Sequence, residues 1–208
     1  VAIGDEVRCY AKVLWHRGND AWMKPLVDFL ADSSTFASYH LNRVQRVEPA
    51  ARFPGVQRYL HGTGANLWAV LANWQSAPQR WEHRYEWVMT AIRKAFPDLI
   101  ASIEFIDGIP AIYPPGAGRH EDALPAGRAA AGLLTGLLHL TAIAGAAPGA
   151  LVAFDELENQ LHPHAIRSLM QSIRGRADDH DLTVVMTTHS PIVMNEFRDD
   201  LDRVFVLD

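Results

Sequence analysis

The stretch Ala150-Leu151-Val152-Ala153-Phe154-Asp155-Glu156 decides how this chain folds. Its apolar run, Ala150 to Phe154, has the length of a buried strand rather than of a helix. Two carboxylates follow at the C-terminal end of that strand, where open α/β sheets place their ligands. Adjacent residues leave a strand in opposite directions, so the two acids can hold different tasks. One can orient a hydrated magnesium ion while the other poises a water for attack.

Working outward, the C-terminal half alternates helix and strand. A helix is expected from about 126 to 144, a strand over 150–154, a helix over 163–176 and a strand over 182–186. A short helix over 192–197 and a last strand over 203–207 complete the pattern. Continuous apolar strands separated by helices predict an α/β fold, a mostly parallel sheet flanked by helices and buried on both faces. Residues 116–208 are read as this lobe, and residues 1–115 as a mixed α+β N-terminal region. In the latter, alternation over 6–15 predicts a strand, 21–31 a helix, and 32–64 loops and short strands. Helical stripes mark 66–74 and 79–96. Residues 101–106 and 111–113 read as a hairpin around Asp107-Gly108.

Composition sets bounds on function. With 49% hydrophobic residues the 208-residue chain can bury a sizeable core, and a net charge of −5 gives it no global basic field for nucleic acid. The apolar run from Ala129 to Phe154 is broken by Gly145-Ala-Ala-Pro148-Gly149, so neither half reaches the ~20 residues a bilayer needs. No membrane span is expected. The sole cysteine, Cys9, excludes an internal disulfide and fits a reducing, cytoplasmic setting. Val1 in place of Met and the apolar ending at Leu207-Asp208 read as the two ends of a piece cut from something larger.

The acid pair continues as Asp155-Glu-Leu-Glu158-Asn159-Gln-Leu-His162-Pro163, and the next strand closes as Val184-Val-Met-Thr-Thr188-His189-Ser190-Pro191. A His-Ser pair is thereby expected at the end of a neighbouring parallel strand, beside the carboxylates. Together these segments resemble the ATPases of the ABC/SMC-like branch of P-loop proteins, especially the bacterial group related to OLD-family nucleases and defence-system ATPases. The resemblance implies that Asp155 holds magnesium through water and that Glu156 is the general base for ATP hydrolysis. It makes Glu158 to His162 a D-loop facing a second subunit and His189 a sensor of the γ-phosphate. It also implies nucleotide contacts from Asn159 and Ser190.

Leu124-Pro125-Ala126-Gly127-Arg128 stands where that family has its signature motif L-S-x-G-x. By resemblance Leu124, Gly127 and Arg128 would meet the nucleotide of the other subunit of a homodimer, at a helix N-terminus suited to anions. Pro125 departs from the usual Ser and supplies neither hydroxyl nor N–H. Gly64-Ala65-Asn66-Leu67-Trp68-Ala69-Val70-Leu71 resembles the family's G-x-N-L-x-x-V-L element. No G-x-x-x-x-G-K-[ST] occurs, and His61-Gly62-Thr63-Gly64-Ala65-Asn66 lacks the lysine. The phosphate-binding (Walker A) loop is therefore expected from an N-terminal segment of the same gene product or from a separate chain. Control of an associated effector, a nuclease or a toxin, in a phage-defence setting completes what the resemblance implies.

Other features read more plainly. His162-Pro-His164 offers no third metal ligand at fixed spacing, so His164 is taken as a surface residue. The six tryptophans are not interleaved with basic residues and read as packing, not as a base-stacking platform. A DNA-clamp head would need a basic groove that the sequence does not display. Arg174, Arg176 and His180, mixed with Asp178, Asp179 and Asp181, read as a solvated helix end. A non-catalytic scaffold or nucleotide-sensing module stays open beside the ATPase, favoured by Pro125 and the missing loop and opposed by the intact acids.

Overall fold

A computed structural model of the chain describes residues 34–37, 41–47, 55–118 and 122–206. The strand expected over 6–15, the helix over 21–31 and Cys9 lie outside the described residues. Chain order is β1 (Ser34–Ala37), α1 (Leu41–Gln45), α2 (Leu67–Ser76), α3 (Arg84–Ala95), β2 (Ser102–Ile106), β3 (Ile109–Tyr113), β4 (Leu124–Pro125), α4 (Ala131–Gly145), β5 (Leu151–Asp155), α5 (Pro163–His180), β6 (Thr183–Met186) and α6 (Pro191–Asn195). Short 3₁₀ turns stand at Pro78–Trp81, Ala126–Arg128 and Leu201–Arg203.

Helix α4 is the centre of the molecule. After Ala131 and Gly132 every residue of it is buried. A helix apolar on all sides belongs inside a protein, and α3, α5 and β5 surround this one. Leu133, Leu134, Leu137, Leu140 and Ile143 are almost wholly removed from water, each worth about 1.5–3 kcal/mol of burial. Small residues set how closely its neighbours approach. A Cβ on Gly136 would lie 2.8 Å from Phe96 Cε2 and 2.9 Å from Ile92 Cδ1.

Of the described tryptophans, Trp68, Trp74 and Trp81 are buried in the core, and Trp15 and Trp22 lie outside the described residues. Trp68 and Trp74 each satisfy the indole N–H on a main-chain carbonyl, Trp68 on Val44 of α1 at 3.1 Å and Trp74 on Arg58 of the loop before α2 at 3.1 Å. Asn66, wholly buried, organises the loop before α2. Its Oδ1 accepts from the His61 N–H at 2.8 Å, and its Nδ2 donates to Gln57 Oε1 at 2.9 Å and to the Tyr59 carbonyl at 3.1 Å. The G-x-N-L-like segment thus acts here as a loop brace.

Two small sheets form among the described residues. β1, β5 and β6 are parallel, in the order β1-β5-β6, and β2, β3 and β4 are antiparallel. The fold is mixed α/β, and parallel pairing is confined to one of the two sheets. Asp107 (φ 50) and Gly108 (φ 79) turn the β2–β3 hairpin, the two left-handed residues that a tight two-residue hairpin loop requires.

Three expectations are corrected. Among the described residues of β5 and β6 the two faces are unequally buried: Val152 and Phe154 are buried, whereas Leu151 and Ala153 are half-buried and Thr183 and Val185 are exposed, Val185 by 50%. Burial thus alternates with the period of two that a strand imposes. The strand expected over 203–207 does not form as far as residue 206. Leu201–Arg203 is a 3₁₀ turn, and the apolar Phe205 and Val206 stand 83% and 85% exposed, with none of the described strands paired to them.

The third correction concerns the start of α4. Leu124-Pro125 is a strand paired with Ile112 and Ala111 of β3, not the opening of a helix. A 3₁₀ turn over Ala126–Arg128 follows, then Ala129 and Ala130 in extended conformation (ψ 153 and 138), and only then α4. No helix among the described residues is long and apolar enough to cross a membrane.

Candidate functional site

Parallel pairing brings the two polar segments together. The register sets Phe154 opposite Met186, so the next residues, Asp155 and Thr187, leave the sheet side by side. The ladder continues one step beyond β6, with the Thr187 N–H donating to the Phe154 carbonyl at 3.0 Å. Asp155 ends β5 exposed to solvent. Glu156 then takes a left-handed backbone (φ 48), which turns the chain sharply off the strand and parts the two acids.

A network of short bonds joins them. Thr187 Oγ1 donates to Asp155 Oδ1 at 2.6 Å, and the Glu156 N–H donates to Thr187 Oγ1 at 2.9 Å. Asn159 Nδ2 donates to Glu156 Oε2 at 2.6 Å. Glu158 turns inward to its own chain, its Oε1 accepting from the His189 N–H at 2.8 Å. Glu158 Oε2 is buried without a hydrogen-bond partner. Leu157, wholly buried, anchors the loop between these acids.

The segment after β6 is braced in the same manner. The Ser190 N–H donates to Thr188 Oγ1 at 3.0 Å, and Ser190 Oγ caps α6 by accepting from the Ile192 N–H at 3.2 Å, with Pro191 in the first turn. His189 is exposed between these anchors, its main chain held and its ring turned toward water. Asp155, Glu156, Asn159, His189 and Ser190 therefore gather at one sheet tip. Leu124, Gly127 and Arg128 do not join them through any described hydrogen bond. That segment lies on β3 and α1, and a Cβ on Gly127 would stand 2.7 Å from the Gln45 carbonyl oxygen.

The donor set suits a hard cation that keeps much of its water. Asp155 Oδ1 is engaged by Thr187, while Oδ2 carries none of the described bonds. Among the described residues no group of three or more His, Cys, Asp or Glu side chains could cage a metal. Magnesium asks for no such cage: it is held through one or two carboxylates together with water and phosphate oxygens. His162-Pro-His164 is a helix cap: the His164 N–H donates to His162 Nδ1 at 3.4 Å, and His164 Nε2 sits 3.1 Å from the Lys94 carbonyl.

Sequence reading does not single out Thr187, nor the bond by which Glu158 holds the His189 main chain. Their signal was the register: once two parallel strands end level, the residue after each strand meets the other. The arginines near the end of α5 also differ from expectation. Arg176 stacks 5.3 Å from the Trp87 ring, and Arg174 donates to the Glu196 carbonyl at 2.9 Å, so α5 is stitched to its neighbours rather than merely solvated.

The loop from Glu156 to Leu161 rests on a notch in α4. A Cβ on Gly132 would lie 2.5 Å from the Gln160 carbonyl oxygen. Gly132→Ala is expected to force the two backbones apart and to cost about 1–3 kcal/mol as an overpacking strain. A lowered denaturant midpoint with unchanged slope would confirm it; an unchanged midpoint would show that the notch is not tight.

Residues 118–195 match the model of a family described as an AAA domain, putative AbiEii toxin, type IV toxin–antitoxin system. The match spans less than half of the chain but includes both acids, the loop through His162, His189 and Ser190. It supports a P-loop, AAA-type ATPase family for this segment. No curated protein matches the chain.

Proposed function

We propose that this chain is the carboxylate-bearing part of an ATP-hydrolysing machine of ABC/SMC-like type, completed by a phosphate-binding loop from another segment or chain. The observation that carries this reading is the hydrogen-bonded tip of β5 and β6, where two acids of different setting stand beside an exposed imidazole. Asp155 would hold magnesium through Oδ2, and the ion would supply charge neutralisation of the phosphate oxygens. Glu156, its Oε2 held by Asn159, keeps Oε1 to accept the proton of the attacking water. His189, held at its main chain by Glu158, offers ring nitrogens to the terminal phosphate.

The half-bare face of the parallel sheet, with Leu151, Ala153 and Val185, supports the reading that a further lobe covers this side. Dimerisation through the loop at Glu158 to His162 and the segment at Leu124 to Arg128, control of a nuclease or toxin effector in a defence setting, and a cytoplasmic location belong to the same proposal. The match to a family named for a putative toxin of the AbiEii kind supports the defence setting.

The test is magnesium-dependent ATP hydrolysis by the assembly that includes the phosphate-binding loop. Asp155→Asn is expected to raise the magnesium concentration for half-maximal turnover at least tenfold, about the weight of one charge-assisted contact. A magnesium requirement unchanged by that substitution would remove Asp155 from the metal site.

One observation favours a second reading, a nucleotide-sensing scaffold without turnover. Leu124-Pro125 is a strand and Gly127 is pressed against Gln45, so the signature-like segment does not open a long helix toward an anion. The two readings part on Glu156, taken up in the Discussion.

A further inference from the structure

The Thr187 hydroxyl sits between the two acids, 2.6 Å from Asp155 Oδ1 and 2.9 Å from the Glu156 nitrogen. A hydroxyl has one proton to give and two lone pairs to receive. The Glu156 N–H can only donate and an ionised carboxylate can only accept, so the Thr187 proton must point to Asp155. The direction of both bonds follows from chemistry alone. Both bonds lie on one atom, and that atom is itself fixed: the Thr187 main chain is tied to the Phe154 carbonyl at 3.0 Å, and a β-branched side chain has few rotamers.

Two consequences follow for the acids. Oδ1 of Asp155 is committed to Thr187, which leaves Oδ2 for a cation and sets the plane in which that oxygen lies. Glu156 holds a left-handed backbone that residues with a Cβ adopt at some energetic cost, and its only described main-chain N–H bond is the one to Thr187.

We propose that Thr187 is a positioning residue for the acid pair, its hydroxyl aiming Asp155 at a divalent cation and holding Glu156 in the turn that presents it. This rests on the magnesium reading of Asp155 above. It differs from a plain strand-end link in a measurable way: a link would alter stability and local exchange, whereas a positioning residue also alters cation binding.

The test uses the 208-residue chain, with Mn2+ alone as the probe in place of magnesium and amide NMR as the readout. Thr187→Val keeps the shape and removes the hydroxyl; Thr187→Ser restores the hydroxyl. The Glu156 amide is expected to exchange about tenfold faster in the valine variant, the loss of one hydrogen bond. The Mn2+ concentration that half-broadens the Phe154 and Leu157 amides is expected to rise at least threefold, with both effects reversed by serine. Asp155→Asn is expected to abolish the broadening.

Faster exchange with unchanged Mn2+ response in Thr187→Val, while Asp155→Asn still abolishes broadening, would reduce Thr187 to a structural link and overturn the proposal alone. Broadening that persists in Asp155→Asn would remove the cation site, and the proposal with it. Thr187→Ala takes the place of the valine variant, under the same criteria, if valine lowers the melting temperature below the working range.

Discussion

Glu156→Gln is expected to lower ATP turnover by about 10²–10⁴-fold, the usual contribution of a general base, while nucleotide and magnesium remain bound. The substitution is nearly isosteric, so its effect can be assigned to proton transfer rather than packing. A glutamine side chain can still accept from Asn159 Nδ2 through its carbonyl oxygen, and its main chain still bonds to Thr187. Fold and loop should therefore survive. What is lost is the capacity to take a proton from water. Turnover by single- and multiple-turnover kinetics, beside nucleotide affinity, makes the comparison. Equal hydrolysis by both proteins would refute the catalytic assignment. An absence of hydrolysis in the parent assembly, with nucleotide bound, would establish the sensing scaffold instead.

The second large effect lies far from chemistry, in His139. This residue is wholly buried in α4, meets Phe154 edge-on at 4.7 Å between ring centroids, and its Nδ1 has no hydrogen-bond partner. Burial pushes its pKa down to about 3 from an ordinary 6.5. The unfolded chain takes up a proton near pH 6.5 that the folded chain refuses, so stability falls as pH drops from 6.5 toward 3 and is unaffected above that window. At pH 4 the difference is about 3 kcal/mol, a large share of the ~5–15 kcal/mol that holds a domain together. Urea midpoints from pH 7 to pH 4 should show this slope, and His139→Leu should lose that part of it. An identical slope in the leucine variant would place the acid sensitivity elsewhere.

Sequence reading located most elements where periodicity was long and unbroken. The run ending at Gly145, the strand before Asp155, the hairpin at Asp107-Gly108 and the stripe of α2 were legible, because burial on a regular lattice leaves a regular pattern. The helix expected over 79–96 forms only from Arg84, after a 3₁₀ turn at Pro78–Trp81 and two left-handed residues, Glu82 and His83. What was not legible depended on partners distant in sequence. Leu124-Pro125 looks like a helix start until Ile112 and Ala111 offer it a strand to pair with. Val204 to Val206 looks like a strand, yet a strand needs a neighbour and none of the described ones is adjacent. The acids themselves were evident from their place after an apolar run. Their ties to Thr187, and of Glu158 to the His189 main chain, were not, since those depend on the register of two strands about thirty residues apart.

The two extended alanines before α4 decide which part of the molecule owns the signature-like segment. Ala129 and Ala130 interrupt the hydrogen-bonded spiral, so Ala126–Arg128 shares no helical ladder with the buried rod that follows. Its fastenings run the other way, through Pro125 and Leu124 to β3 and through Gly127 to the end of α1. Ala126 and Ala129 are nevertheless buried in the same core as α4, together with Ile103 and Ile112 of the antiparallel sheet. The signature-like segment is thus a hinge point in the covalent chain but a fixed part of the packing, and its distance from the acid pair is set by the core that both share.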